Sequence, residues 1–435
     1  MIQPAKEVPG PLANADLCTQ CGYCLPVCPT YRVENNELHA PRGRVSIILA
    51  LQSGTLTAAE AAAALDHCLV CQTCHTACPA GVQLAHLTVL VRALVPPKST
   101  VSSRVLHRVT NHPHLTARMA ALLARYQRSG AQATLRRWGL LRLVPALARL
   151  EALLPRHRPE VSCPPFPTIL PDRFDQPRIG LLGGCMARLF FPGVAPSAAQ
   201  LVVQGGGAVT LLASFGCCGA PFRESGDQRA FLRQARRTLD AFVAAGPLQS
   251  VVCDSSVCAV TAQDYARALS TEVAYATVAQ DFAAKVQTLS QFLAQDLGRG
   301  AVVPKDPGFG SLTYHDHCQA RHGLGIIKEP RRVLTALPLV YRELWQCQTA
   351  SSGGCCGAGG VYQLRHAVRS QKIRAAQVAA ICASGADAVV GENPGCLLHL
   401  QAGLEQAGSA VRVYHLAEVV WAAHSLQQPT QKVSP

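Results

Sequence analysis

The chain has 435 residues, a formal net charge of +14, 49% hydrophobic and 15% charged residues, and 20 cysteines. Such a length predicts two to four domains, and the composition supports buried cores and excludes a disordered chain. Residues 1–10 offer no basic or apolar signal segment, and no uncharged apolar run approaches the roughly 20 residues that span a bilayer. The expectation is a cytoplasmic protein whose cysteines are metal ligands or reduced thiols rather than disulfides.

In chain order, the first informative stretch carries one cysteine pattern twice. Cys18, Cys21, Cys24 and Cys28 precede Pro29, and Cys68, Cys71, Cys74 and Cys78 precede Pro79. Each copy reads C-x-x-C-x-x-C-x-x-x-C-P, the bacterial two-cluster ferredoxin signature, which predicts two [4Fe–4S] clusters. Three thiolates at i, i+3 and i+6 on a tight loop cap three corners of one cube. The fourth lies past a change of direction and reaches the other cube. The expected ligand sets are therefore crossed: Cys18, Cys21, Cys24 and Cys78 for one cluster, Cys68, Cys71, Cys74 and Cys28 for the other. Zinc sites take two C-x-x-C pairs rather than four cysteines in a row. Between the copies, HAPRGR (His39 to Arg44) leads into a helix from about Val45 to Gln52, and an alanine-rich helix follows from about Thr57 to Asp66. Arg42 and Arg44 are read either as tuning a cluster or steering an acidic partner, or as a solvated loop. An all-helical domain over residues 1–97 is expected.

Residues 98–160 contain twelve Lys or Arg and two acids, Glu151 and Glu160. Prolines 113, 145 and 155 break this region into helices. Leu115, Met119, Leu122, Leu123 and Tyr126 follow helical spacing, with Arg118, Arg125 and Arg128 off that stripe. A structural connector with a solvated basic face is preferred over a membrane anchor. An acidic protein or an anionic membrane surface on the inner face of the plasma membrane fits the charge better than nucleic acid, for which no module is present. Residues 161–177 form a proline-rich linker.

From about Arg178 the texture becomes α/β. Strands are expected at Ile179–Leu182, Val209–Leu212, Val251–Val252, Ser311–His315 and Ala388–Val390. Helices are expected at Gln228–Ala245 and Val361–Ala383. The cysteines repeat: Cys185, Cys217, Cys218 and Cys258 in residues 178–300, then Cys318, Cys355, Cys356 and Cys396 in residues 301–435. Each vicinal pair is flanked by glycine on both sides, which lets a turn aim two sulfurs at one centre. Cys163, Cys253, Cys347 and Cys382 lie outside these sets and read as plain thiols. No dinucleotide fingerprint, P-loop or Ser-His-Asp set is present, so no flavin or nicotinamide site is expected on this chain.

The paired GCCGA units resemble the cysteine-rich CCG domain of heterodisulfide reductase and related quinone-linked dehydrogenases. With CTQCGYCLPVCPTY, HAPRGRV, CLVCQTCHTACPAGV, YHDHC, GCCGAGGVY and NPGCLLHL, nearly the whole chain is similar to the iron–sulfur subunit of bacterial glycolate oxidase. The iron–sulfur subunits of anaerobic glycerol-3-phosphate dehydrogenase and of lactate utilisation are close alternatives. The fold implied is α+β and multidomain: a helical ferredoxin domain, a helical connector and two α/β CCG domains. The resemblance implies electron transfer from an FAD-containing partner that oxidises glycolate to glyoxylate, with D-lactate as a related substrate, on to a quinone or another acceptor. No substrate oxidation by this chain alone is implied. In heterodisulfide reductases a fifth cysteine, three residues after the last, completes a further cluster; here Thr261 and His399 stand there. The CCG thiols and His399 are therefore candidates for an additional cluster, against the plainer reading of structural or redox-inert core residues. His315 is a candidate for metal or proton chemistry against the plainer reading of a core histidine. A thiol–disulfide reductase and a metal-stabilised scaffold are the other functional classes.

Overall fold

A computed structural model describes residues 10–95, 113–139, 151, 154, 176–212, 216–296, 308–344 and 354–425. Cys163, Cys347, Pro145, Pro155 and nearly all of the expected linker lie outside these residues.

Residues 10–95 are helical, with no strand among those described. The first long helix runs Pro41–Gln52, four residues earlier than the apolar pattern suggests. Proline suits that first turn, where its missing N–H has no helical partner to lose. Gly43 is required there, because a Cβ would fall on the Glu37 carbonyl oxygen. The next helix, Ala58–Leu65, is started by a capping box between Thr57 and Glu60. Together with Leu84–Ala93 these helices bury Val45, Ile48, Leu51, Leu65, Leu87 and Val91 in one small core.

The second half contains two four-stranded parallel sheets of the same topology. In one, β1 (Arg178–Leu182), β2 (Ala208–Leu211), β3 (Ser250–Cys253) and β4 (Val286–Thr288) lie in the order β2-β1-β3-β4. In the other, β5 (Ser311–Tyr314), β6 (Val340–Tyr341), β7 (Ala388–Gly391) and β8 (Arg412–His415) lie in the order β6-β5-β7-β8. The registers pair Gly180 with Val251 and Thr313 with Val389. One continuous core spans both repeats, from Ile179 and Val252 to Leu312 and Val389, closed by the Val194–Gln204 helix against Leu416–Ser425. The long helix expected over Val361–Ala383 is two, Tyr362–Arg365 and Ala367–Ala383. His366 breaks it at φ −122°, ψ 50°, and its Nε2 meets Asp66 of the first domain at 3.0 Å.

In the basic region, Pro113–Arg128 packs on the Cys185–Phe190 helix of the first repeat. Arg118, Arg125 and Arg128 are exposed, and Leu115, Leu123 and Tyr126 are half-buried. Met119 and Leu122 face solvent at 44% and 63% exposure, so the expected apolar stripe is only partly covered. Not every cation here is solvated: Arg136 donates to both Glu151 carboxylate oxygens, at 2.9 and 3.0 Å.

Candidate metal centres

The two C-x-x-C-x-x-C loops wrap in the same way. Gln20 (φ 56°) and Gly22 (φ 83°) in the first loop correspond, fifty residues on, to Val70 (φ 54°) and Gln72 (φ 63°) in the second. A β-branched residue rarely adopts the left-handed region, so Val70 is held there by its surroundings. The result is a backbone curled around the sulfurs. The Val70 N–H donates to Cys68 Sγ at 3.4 Å, the Val82 N–H to Cys78 Sγ at 3.4 Å, and Thr73 Oγ1 to Cys71 Sγ at 3.3 Å.

Two cavities of comparable size, about 440 and 340 Å³ and partly open to solvent, sit inside these loops. Cys18, Cys21, Cys24 and Cys78 line the first, with Cys74 also on its wall. Cys28, Cys68, Cys71 and Cys74 line the second. The last cysteine of each set thus stands in the other set's cavity. Four thiols around each space, with N–H and O–H donors aimed at sulfur, suit a thiolate-bound cubane, whose charge such donors stabilise.

Charge separates the two cavities. Arg44 is 2% exposed, donating to Cys28 Sγ (3.8 Å), Thr30 Oγ1 (3.0 Å) and the His67 carbonyl (2.9 Å). Burial disfavours its charge, but Cys68, Cys28 and Cys74 outweigh that and hold it cationic. Arg92, also buried, donates to the Leu65 and Cys68 carbonyls at 2.7 Å. Burial pushes the Cys68 thiol up; Arg44 and Arg92 reverse this and leave it below its ordinary value. The other thiols do not divide by cavity: burial pushes Cys24 up to about 11 in the first, the Cys355 thiol and burial push Cys71 well up and burial does the same to Cys74 in the second, and the Tyr23 backbone draws Cys21 down in the first. Arg42 there is spent largely on Glu37, at 2.8 and 3.0 Å. Both arginines of the HAPRGR segment reach a cavity: Arg42 lines the first, and buried Arg44 lines the second. Arg92 was not singled out by sequence; the only signal was one arginine near the end of an apolar helix.

The repeats bring their own thiols together at the carboxyl ends of the strands, the usual place for a site on a parallel sheet. In the first, Cys185 Sγ lies 4.0 Å from Cys217 Sγ, and Cys218 is in contact with Cys217, Cys258 and Thr261. Contacts with Cys217 and Cys258 draw the Cys218 thiol well below its usual range. Beside this set, Asp254 accepts the Gly184 N–H at 2.6 Å, and burial lifts its carboxyl to about 7. In the second repeat, Cys356 and Cys396 Sγ are 2.9 Å apart and Cys318 contacts Cys355. His315 joins this set, with its imidazole driven to about 4 by burial. His399 does not; its Nε2 meets Ser370 Oγ at 3.0 Å. Asp316 is held by Arg321 and Arg331 at 2.8 and 2.9 Å. Cys253 is buried beside the first set, and Cys382 is exposed.

The second cavity and the second repeat touch. Cys71 packs beside Cys355, and Leu69, Cys318, Cys355 and Tyr362 share a small apolar cluster. Around it three regions lock together: Gln319 Nε2 donates to the Val70 carbonyl (3.2 Å) and to Glu224 Oε1 (2.7 Å), while Arg92 donates to the Glu224 carbonyl (2.6 Å). Gly359 and Gly360, at φ 46° and 55°, pack closely on Leu69 and Glu224. Neither Glu224 nor Gln319 carries a motif, and only the folded chain reveals them.

A helical domain with two crossed cysteine cavities, joined to a repeated α/β thiol domain, defines an iron–sulfur protein of electron transfer. Family models agree: residues 14–82 match a 4Fe-4S dicluster domain, 179–262 and 312–401 a cysteine-rich domain, and 97–154 the linker region of the glycolate oxidase iron-sulfur subunit. The chain is 30% identical over 425 residues to the "Probable glycolate oxidase iron-sulfur subunit" of Bacillus subtilis (strain 168), covering 93% of this chain and 92% of that one. It is 26% identical to the glycolate oxidase iron-sulfur subunit of Escherichia coli (strain K12), with the same coverage. Lactate utilization protein A of Shouchella clausii is 28% identical over 245 residues, 56% of this chain and 98% of that one. The chain belongs to the glycolate oxidase iron-sulfur subunit family. No helix among the described residues is long and apolar enough to cross a membrane.

Proposed function

We propose that the chain is the electron-carrying subunit of a flavin-dependent 2-hydroxy acid dehydrogenase acting on glycolate. Cys18, Cys21, Cys24 and Cys78 would hold one [4Fe–4S] cluster, and Cys68, Cys71, Cys74 and Cys28 the other. Bound there, the clusters supply one-electron acceptance and release. The exchange of Cys28 and Cys78 between the two cavities carries this reading. Arg44 and Arg92 set the charge of the second cavity, and the N–H groups of Val70 and Val82 solvate the sulfurs. The substrate rests on the relatives of matching length.

Oxidation of a 2-hydroxy acid delivers a hydride, which requires a flavin or a nicotinamide. The flavin belongs to a partner subunit, and a quinone or another acceptor lies beyond this chain. The isolated chain should take electrons from a chemical reductant and show no glycolate oxidation. Adding the cognate flavoprotein should restore glycolate-dependent reduction of an artificial acceptor. Glycolate turnover by this chain without flavin would refute the assignment.

A further inference from the structure

In the second repeat the ligand atoms of His315, Cys356 and Cys396 all lie within 4.8 Å of one another, and all three residues are buried. We propose that this triad binds a single divalent cation of the zinc and ferrous class, separate from the two crossed cysteine cavities. The site does not rest on the glycolate reading.

Scale decides the nuclearity. A tetrahedral zinc holds thiolate sulfur at about 2.3 Å and imidazole nitrogen at about 2.0–2.1 Å, which sets two sulfurs on one ion about 3.8 Å apart. Cys356 and Cys396, now 2.9 Å apart, need only a side-chain adjustment to reach that separation. Thiolates on separate corners of a cube radiate outward and stand farther apart. The ligand set fits the class as well: neutral imidazole with two thiolates suits zinc or ferrous iron and disfavours magnesium or calcium, which take oxygen.

The fold prepares this set from three segments. His315 follows β5, Cys356 sits in the glycine-flanked loop, and Cys396 lies in the first turn of the Pro394–Gln406 helix. Asn393, the residue capping that helix, turns its Nδ2 to Cys396 Sγ at 3.5 Å while its Oδ1 accepts the Gly395 N–H at 3.1 Å. A side-chain donor held this way orients a thiolate ligand. The first repeat supplies an internal control. Leu182 stands three residues before Cys185, as His315 stands three before Cys318. The sulfurs are duplicated there and the imidazole is not.

The test uses the full chain, purified without oxygen from cells grown with added zinc. Metal analysis should find about one equivalent of zinc or iron beyond the roughly eight irons of two cubanes. When that metal is zinc, its X-ray absorption should show a mixed nitrogen and sulfur shell. His315→Ala should lose that one equivalent and keep the eight irons and their visible spectrum. His315→Cys should retain it, and so should Cys217→Ser in the first repeat. No extra metal in the wild type, a sulfur-only shell, or equal metal in wild type and His315→Ala would overturn the proposal. A loss of about four irons from His315→Ala would also overturn it, since that marks a cluster rather than one ion. Should His315→Ala not fold, the wild-type metal count and absorption spectrum decide alone.

Discussion

The two cysteine cavities are written in nearly the same letters and sit in different electrostatic surroundings. The first, around Cys18, Cys21 and Cys24, has an exposed cysteine and an arginine paired to an exposed glutamate. The second, around Cys68, Cys71 and Cys74, has buried Arg44 on its wall and buried Arg92 behind the Cys68 carbonyl, and it abuts Cys355 of the second repeat. A repeat therefore fixes ligand geometry while the flanking residues fix charge. Buried cations favour an added electron, because Coulomb interactions strengthen where water is excluded.

The largest expected effect comes from breaking the crossing. Cys28→Ser and Cys78→Ser should each reduce iron from about eight to about four per chain. Cys28→Ser should pair in spectrum with Cys71→Ser, and Cys78→Ser with Cys21→Ser; electron paramagnetic resonance of the reduced variants checks this. Exposure should also separate the cavities kinetically. Under a limiting oxidant or an iron chelator, the signal that depends on Cys21 should vanish before the one that depends on Cys68, and simultaneous decay would count against the difference drawn here.

Removing the buried charge is a smaller change. A charge-assisted hydrogen bond is worth about 1.5–3 kcal/mol, and about 1.4 kcal/mol corresponds to about 59 mV for one electron. Arg44→Leu should therefore lower the potential of the second cavity's cluster by on the order of 60–130 mV, with Arg44→Lys recovering part of the loss. Gly43→Ala forces a Cβ onto the Glu37 carbonyl and should destabilise the helical domain by about 1–3 kcal/mol, read by thermal unfolding. Reversing Arg118, Arg125 and Arg128 to Glu should change stability by less than about 0.5 kcal/mol. The same variant should weaken any salt-sensitive association with anionic vesicles or an acidic partner, since exposed charges are screened beyond about 8 Å. Unaltered association would leave those arginines as a solvated surface.

Sequence shows what is repeated and hides what is shared. The cysteine spacing, the two α/β repeats and the helices Pro113–Arg128 and Gln228–Ala244 were legible because each is a local pattern. Strands β4, β6 and β8 were missed since Gln287 interrupts the first, the second has two residues, and Arg412 and His415 flank only Val413 and Tyr414 in the third, so none shows an apolar run. The break at His366 was missed; the residue meets Asp66, three hundred residues away, and no local pattern marks that contact. Arg92, Glu224 and Gln319 form a junction among three regions, and no local pattern marks them. The HAPRGR segment was only half legible: two arginines are visible, but which of them turns inward depends on Thr30 and the His67 carbonyl.

The most direct measurement is a redox titration followed by electron paramagnetic resonance, on wild type, Cys28→Ser and Arg44→Leu. Two cubane signals with distinct potentials are predicted, the higher one absent in Cys28→Ser and shifted down in Arg44→Leu. Two signals of equal potential, or loss of the lower one in Cys28→Ser, would contradict the account.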